Sequence, residues 1–143
     1  MKRVVVTGMG IVSSIGNNIS EVLDSLKSAR PGISRAEDYV EYGFRCQVHG
    51  APSLDPFSVL DRRTTRFMAK GAAWNYIAMA EAIAMAGLEE KDIKSPRTGI
   101  VMGSGGPSTR AVVEAADITR TNKSPKRIGP LAVPKAMSST ASA

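Results

Sequence analysis

The chain opens with an apolar run, Val4-Val5-Val6, that resumes beyond Gly8 and Gly10 at Ile11 and Val12. The run does not alternate with polar residues, so it predicts a strand buried on both faces, the kind found in parallel sheets. Asn17-Asn18 interrupts it. Asn18 and Glu21 have capping-box spacing, and Ile19, Val22, Leu23 and Leu26 continue at helical spacing as far as a stop at Pro31-Gly32. From Ile33 to Asp55 the pattern is mixed. Phe44, Cys46 and Val48 alternate with Arg45, Gln47 and His49, as in a half-exposed strand, and Pro52 and Pro56 end any regular element beyond it.

Asp61 predicts the cap of the longest helix. Its apolar stripe runs Phe67, Gly71, Trp74, Ala78, Ala82, Met85, and Gly87 stands at its C′ position. Thr98 to Met102 reads as another buried strand. Gly103-Ser104-Gly105-Gly106-Pro107 then turns into a helix holding Val112, Val113 and Ile118. Thr121 to Gly129 is polar and basic and predicts a surface loop. Val133-Pro134 predicts a last helix with proline in its first position. Strands and helices alternate, which predicts an α/β fold of helices layered on a largely parallel sheet. The small-residue run up to Ala143 has no C-cap and no charged last turn, so the natural polypeptide is expected to continue.

Composition narrows this picture. At 143 residues, 43% hydrophobic and 22% charged, the chain is expected to form one domain with a core, which argues against wholesale disorder. The single cysteine, Cys46, excludes an internal disulfide and fits a reducing compartment. The apolar start is too short for a signal peptide and no window approaches a membrane span, so a cytoplasmic location is expected. The net charge of +6 points to an acidic partner.

Several candidate motifs have a plain structural reading. Gly8-Met9-Gly10 comes after a predicted strand, but the next helix starts too late to hold a pyrophosphate, so the glycines are assigned to close backbone packing. Gly103-Ser104-Gly105-Gly106 lacks the Lys-Ser/Thr ending of a P-loop and is read as a tight turn where another surface comes close. Cys46 and His49 would point to opposite faces of a strand, so both are read as inert, the thiol buried or half-buried. One His and one Cys make no metal constellation, and no metal or cofactor is expected. The basic residues say more. Arg62, Arg63, Arg66 and Lys70 fall at spacings of three and four near the start of the predicted long helix, where the macrodipole disfavours cations, so an anionic ligand is a reasonable explanation. Arg120, Lys123, Lys126 and Arg127 form a second basic stretch. No aromatic residues interleave these charges, which argues against nucleic acid.

These residues carry a resemblance. The opening Met1 to Asn17, Asp61 to Met68, Gly103 to Gly106, Ile128-Gly129-Pro130 and Val133 to Ser139 together resemble a bacterial β-ketoacyl-[acyl-carrier-protein] synthase. Lys135-Ala136-Met137-Ser138-Ser139 is closer to the type I enzyme than to type II. The resemblance spans residues 1–143 and implies a thiolase-like, layered α-β-α fold in dimers, with this chain supplying most of an N-terminal half. It implies the extension of an acyl chain by two carbons. In such enzymes a cysteine takes the acyl group from acyl carrier protein, and two histidines with a supporting lysine assist decarboxylation of malonyl-carrier protein. The family places those groups beyond Ala143, so no catalytic residue is assigned, and the chain alone is expected to be inactive and poorly soluble. The resemblance further implies that Arg62, Arg63 and Arg66 dock the acidic carrier. Lys123 and Lys126, with Arg127, match a second basic dock, in a loop one residue shorter than the family's. Gly106, Pro107 and Met137 would line the acyl pocket near a homodimer interface, Pro107 replacing the usual Gly or apolar residue. The competing expectation is a non-catalytic module that only binds carrier protein. Neither nucleic acid nor membrane is expected as a partner.

Overall fold

Asn18 begins the first helix as its spacing predicts. In the computed structural model, which describes residues 2–142, its side chain accepts the Glu21 N–H at 2.9 Å, and α1 runs Ile19–Lys27. Met1 and Ala143, the ends of the opening and closing stretches, lie outside the described residues. Glu21 answers by accepting the Asn17 N–H at 2.8 Å, one residue before the cap, and Asn18 Nδ2 at 2.9 Å. The helix stops before Pro31-Gly32 is reached. Ala29 turns to φ 51° and donates to Leu26 O, while Arg30 donates to Ser25 O at 2.8 Å, the paired bonds of a Schellman end.

The described chain divides into two compact units. The first holds the residues up to Asp55 together with Ile77–Leu88. After α1 it contains β1 (Ser34–Arg35), α2 (Glu37–Glu41) and β2 (Val48–His49). The two strands pair antiparallel, Ser34 opposite His49 and Arg35 opposite Val48. The alternation from Phe44 to His49 therefore yields strand only at its last two residues. Tyr39 stacks against Phe44 at 5.2 Å and meets His49 edge-on at 5.7 Å, which holds the imidazole half-buried. Cys46, expected to be buried or half-buried, is exposed, because it precedes the paired residues.

The second unit comprises Pro56–Tyr76 and the residues from Glu89 onward. It contains α3 (Pro56–Val59), α4 (Arg62–Thr65), the start of α5 (Lys70–Ala86), α6 (Glu90–Ile93), α7 (Thr109–Asn122) and α8 (Ala132–Ala136), with 3-10 turns at Pro125–Arg127 and Ser138–Ser142. Asp61 does not cap the longest helix. It caps the single turn α4, and residues 66–69 separate that turn from α5. Gly87 ends α5 as expected, at φ 67°, with Leu88 N–H reaching back to Ile83 O. The expected polar loop is partly helical, since α7 extends to Asn122. Pro134 sits third in α8 rather than first, a position whose N–H would also lack an intrahelical partner.

The two expected buried strands do not form. Among the described residues the β1–β2 ladder stands with an isolated bridge, Ser13–Gly16, and residues 4–12 and 98–102 pair with no neighbour. Val4 is 92% exposed and Val101 100%. A strand whose N–H and C=O groups meet no ladder gains nothing from its β-branched side chains. Few side chains are fully covered: Ala36, Ala73 and Pro56, with Val22 and Ser25 close behind. The expected sizeable core is therefore absent from the described residues.

Candidate functional site

The first basic group is built on α4. The Asp61 carboxylate accepts the Arg63 N–H at 3.0 Å, and the Thr65 hydroxyl donates to Asp61 O at 3.2 Å. This one turn presents Arg62 and Arg63 to solvent, and among the described residues no carboxylate lies within ion-pairing distance of either. Arg66 stands next, at the C-cap, also exposed, with its guanidinium 5.0 Å from the centre of the Phe67 ring. An unfavourable helix end does not account for these cations: one turn has little macrodipole, and Arg66 lies at the end where a cation is welcome.

The second basic group lies just past α7. Lys123 takes a left-handed conformation, φ 48°, and its N–H donates to Thr119 O. Ser124 then accepts the Lys126 N–H at 3.3 Å and starts the Pro125–Arg127 turn. Lys123, Lys126 and Arg127 are exposed and, among the described residues, have no carboxylate partner. Arg120 differs, since it pairs with Asp117 at 3.0 Å on the solvent face of α7.

The pocket residues come together through one backbone bond. Ser108 N–H donates to Ala136 O at 3.3 Å, which sets the Gly106-Pro107 turn beside the end of α8 and Met137. Ser104 Oγ donates to Gly106 O at 2.8 Å, and Ser108 caps α7 by accepting the Ala111 N–H. Gly106, Pro107 and Met137 all face solvent here. Nothing lies within 4 Å of where a Cβ on Gly103, Gly105 or Gly106 would stand, so the close approach expected at this turn is not made. Cys46 offers only a long contact, its Sγ 3.6 Å from Val48 O. Among the described residues no three His, Cys, Asp or Glu side chains converge as a metal site would require, and no helix is long and apolar enough to cross a membrane.

Glu81 carries a role that the sequence pattern did not single out. Its Oε2 accepts the Ile11 N–H at 3.0 Å and its Oε1 the Ile19 N–H at 2.9 Å, tying α5 to both the opening segment and the first residue of α1. The signal was available: Glu81 is the only charged residue between Lys70 and Gly87. An isolated carboxylate in so apolar a helix needs donors to offset its burial.

Known proteins match this chain along its whole length. The sequence profile of the family described as "Beta-ketoacyl synthase, N-terminal domain" matches residues 1–143. The chain is 46% identical over 143 residues to 3-oxoacyl-[acyl-carrier-protein] synthase 1 of Haemophilus influenzae, and 44% identical over 144 aligned residues to the synthase 1 of Escherichia coli K12. It is covered completely in both alignments but spans only 35% and 36% of those proteins. A crystal structure of a β-ketoacyl synthase from Burkholderia phymatum superposes with a TM-score of 0.81 at 26% identity, over 99% of this chain and 35% of that one. The fold is also shared, at 20% identity and a TM-score of 0.80, by the ishigamide ketosynthase/chain length factor.

Proposed function

Since the chain belongs to the β-ketoacyl synthase family, we propose that it supplies the carrier-docking and pocket-forming surface of a 3-oxoacyl-[acyl-carrier-protein] synthase of fatty acid biosynthesis. The synthase 1 relatives, at 44% and 46% identity against 28% for a synthase 2 of Coxiella burnetii, favour the type I subclass. On this reading the whole protein is a cytoplasmic homodimer of the layered, thiolase-like kind. The unpaired segments 4–12 and 98–102 then become strands of its largely parallel sheet.

One observation carries the reading. Arg62, Arg63, Lys123, Lys126 and Arg127 stand in solvent on two turns closed by Asp61 and Ser124, and no carboxylate of the described chain claims them. Cations held ready in this way attract an acidic carrier over a distance and set its register at contact. Arginine at 62, 63 and 66 adds planar donor forks that suit carboxylates. Once the carrier is docked, its acyl chain would enter beside Gly106, Pro107 and Met137.

The chemistry after docking is the family's, and no residue of this chain is assigned to it. A thioester on sulfur splits a difficult condensation into acyl transfer and carbon–carbon bond formation. Cys46 and His49 are assigned to neither step: Cys46 is exposed, and the His49 ring packs edge-on against Tyr39 on the small ladder. The chain alone is expected to bind carrier protein without condensing acyl groups.

Titration with acyl carrier protein at low and high salt tests the reading. Reversing Arg62, Arg63 and Arg66 to Glu should weaken binding at least about tenfold, given roughly 0.2–1 kcal/mol for each exposed pair and repulsion in its place. Binding that ignores salt, or no binding at all, refutes it. Condensing activity in the isolated chain would instead refute the assignment of no catalytic residue.

A further inference from the structure

We infer that Phe67 is a positioning residue for carrier recognition, bracing the Arg66 guanidinium so that its donor edge is preset for a carboxylate; this rests on the docking function proposed above. Phe67 remains 43% exposed immediately after a basic turn. The Met68 N–H donates to Thr65 O at 3.0 Å, closing a turn that sets residues 66 and 67 side by side. In that turn the Arg66 guanidinium lies 5.0 Å from the Phe67 ring centre, within the range of a cation–π contact. A guanidinium stacked flat on a ring keeps its N–H donors free around its edge.

Arg62 and Arg63 have no such brace. Their side chains must lose rotamer freedom when a carrier binds, whereas Arg66 has already lost part of its own. The three arginines therefore divide the work. Arg62 and Arg63 raise the encounter rate through charge, and Arg66 on Phe67 lengthens the life of the complex through geometry.

The test is the kinetics of acyl carrier protein binding to the chain immobilised on a sensor surface, over a series of salt concentrations. Phe67→Leu removes the ring face and keeps every charge. It should raise the dissociation rate roughly two- to fivefold while association and its salt dependence stay unchanged. Phe67→Trp, which keeps an aromatic face, should restore the slow dissociation. Arg62→Gln should do the opposite, slowing association and flattening its salt dependence. A mere loss of folded protein lowers the amount bound and not the dissociation rate, so it does not imitate the expected result. An unchanged dissociation rate in Phe67→Leu, or failure of Phe67→Trp to restore it, overturns the inference while leaving the docking function standing. If Arg62→Gln and Arg66→Gln are also without effect, the docking function itself is wrong.

Discussion

Two glycine-rich segments of this chain look alike in sequence and differ in structure. Gly8-Met9-Gly10 and Gly103-Ser104-Gly105-Gly106 both adjoin apolar runs with the composition of buried strands. The first is packed. A Cβ on Gly10 would overlap the Ala78 carbonyl oxygen and come within 2.9 Å of the Ala82 nitrogen, and one on Gly8 would overlap Ala82 O and lie 2.9 Å from Ala86 N. The second segment is open, with nothing within 4 Å of the equivalent positions on Gly103, Gly105 and Gly106. Glycine in a sequence records that a backbone can be approached. The approaching group has to be supplied from elsewhere, and α5 supplies it for only one of the two segments.

The largest test of that difference is Gly10→Ala. The methyl group cannot fit without moving the segment off α5, which would also break the bond from Ile11 N–H to Glu81. Overpacking of this kind costs about 3 kcal/mol, and the lost bond adds to it. Urea unfolding followed by Trp74 fluorescence should show the midpoint falling sharply, and a variant as stable as the parent would mean that the segment does not lie on α5 in solution. Glu81→Ala comes next. It leaves the half-buried Ile11 and Ile19 N–H groups without an acceptor and should cost about 2 kcal/mol, with faster hydrogen exchange at those two amides in particular. Glu81→Gln keeps one acceptor oxygen and should lose about half as much. Equal protection of both amides in all three proteins would remove Glu81 from its place as the clamp.

Ala29 reverses the comparison: here the backbone calls for glycine and the chain has none. At φ 51° it occupies the left-handed end of α1, a conformation that costs a non-glycine residue about 1 kcal/mol. Ala29→Gly should recover roughly that amount, less the ~0.4–1 kcal/mol by which glycine favours the unfolded chain, for a net gain of up to about 0.6 kcal/mol. A rise in the unfolding midpoint of a few degrees would show this, whereas a fall would mean that α1 ends differently. Gly87 is the internal control, since it already holds the same position on α5 with glycine in place.

How much of this is legible in the sequence depends on whether the deciding contact is local. The Asn18 cap, the Gly87 stop and the α7 helix are legible because each is fixed by residues within one or two turns. The role of Gly8 and Gly10 is legible too, because the late start of the next helix leaves a close neighbour as the explanation of two glycines in an apolar run. Residues 4–6 and 98–102 carry an equally clear pattern, yet they form no ladder among the described residues. Their hydrophobicity states a need for neighbours and cannot provide them. The break between α4 and α5 is hidden because Asp61 caps equally well before one turn or before many. In the candidate site the basic residues are legible as charge, and the freedom of Arg62, Arg63, Lys123, Lys126 and Arg127 from carboxylate partners among the described residues is not. The brace under Arg66 is also invisible, since adjacent residues meet only where the chain turns sharply, and nothing in Arg66-Phe67 announces the turn.

The smallest expected effect is the most informative for the open segment. Gly105 has free space where a Cβ would stand, so Gly105→Ala should change stability by less than about 0.5 kcal/mol, any slight gain coming from a stiffer unfolded chain. Measured on this chain, that near-zero value would contrast with the heavy loss at Gly10 and show that the two segments differ by what packs on them. Repeated in a form of the protein extended to the length of its synthase 1 relatives, of which this chain spans 35% or 36%, the same substitution gains a second use. There the added polypeptide or a second copy of the chain has the opportunity to close on Gly103–Gly106. A cost rising from near zero to about 1–3 kcal/mol would show that the turn is built for a neighbour the present residues lack. A cost that stays near zero would show that the turn is open by design, and its glycines would then be free to admit a ligand beside Pro107 and Met137.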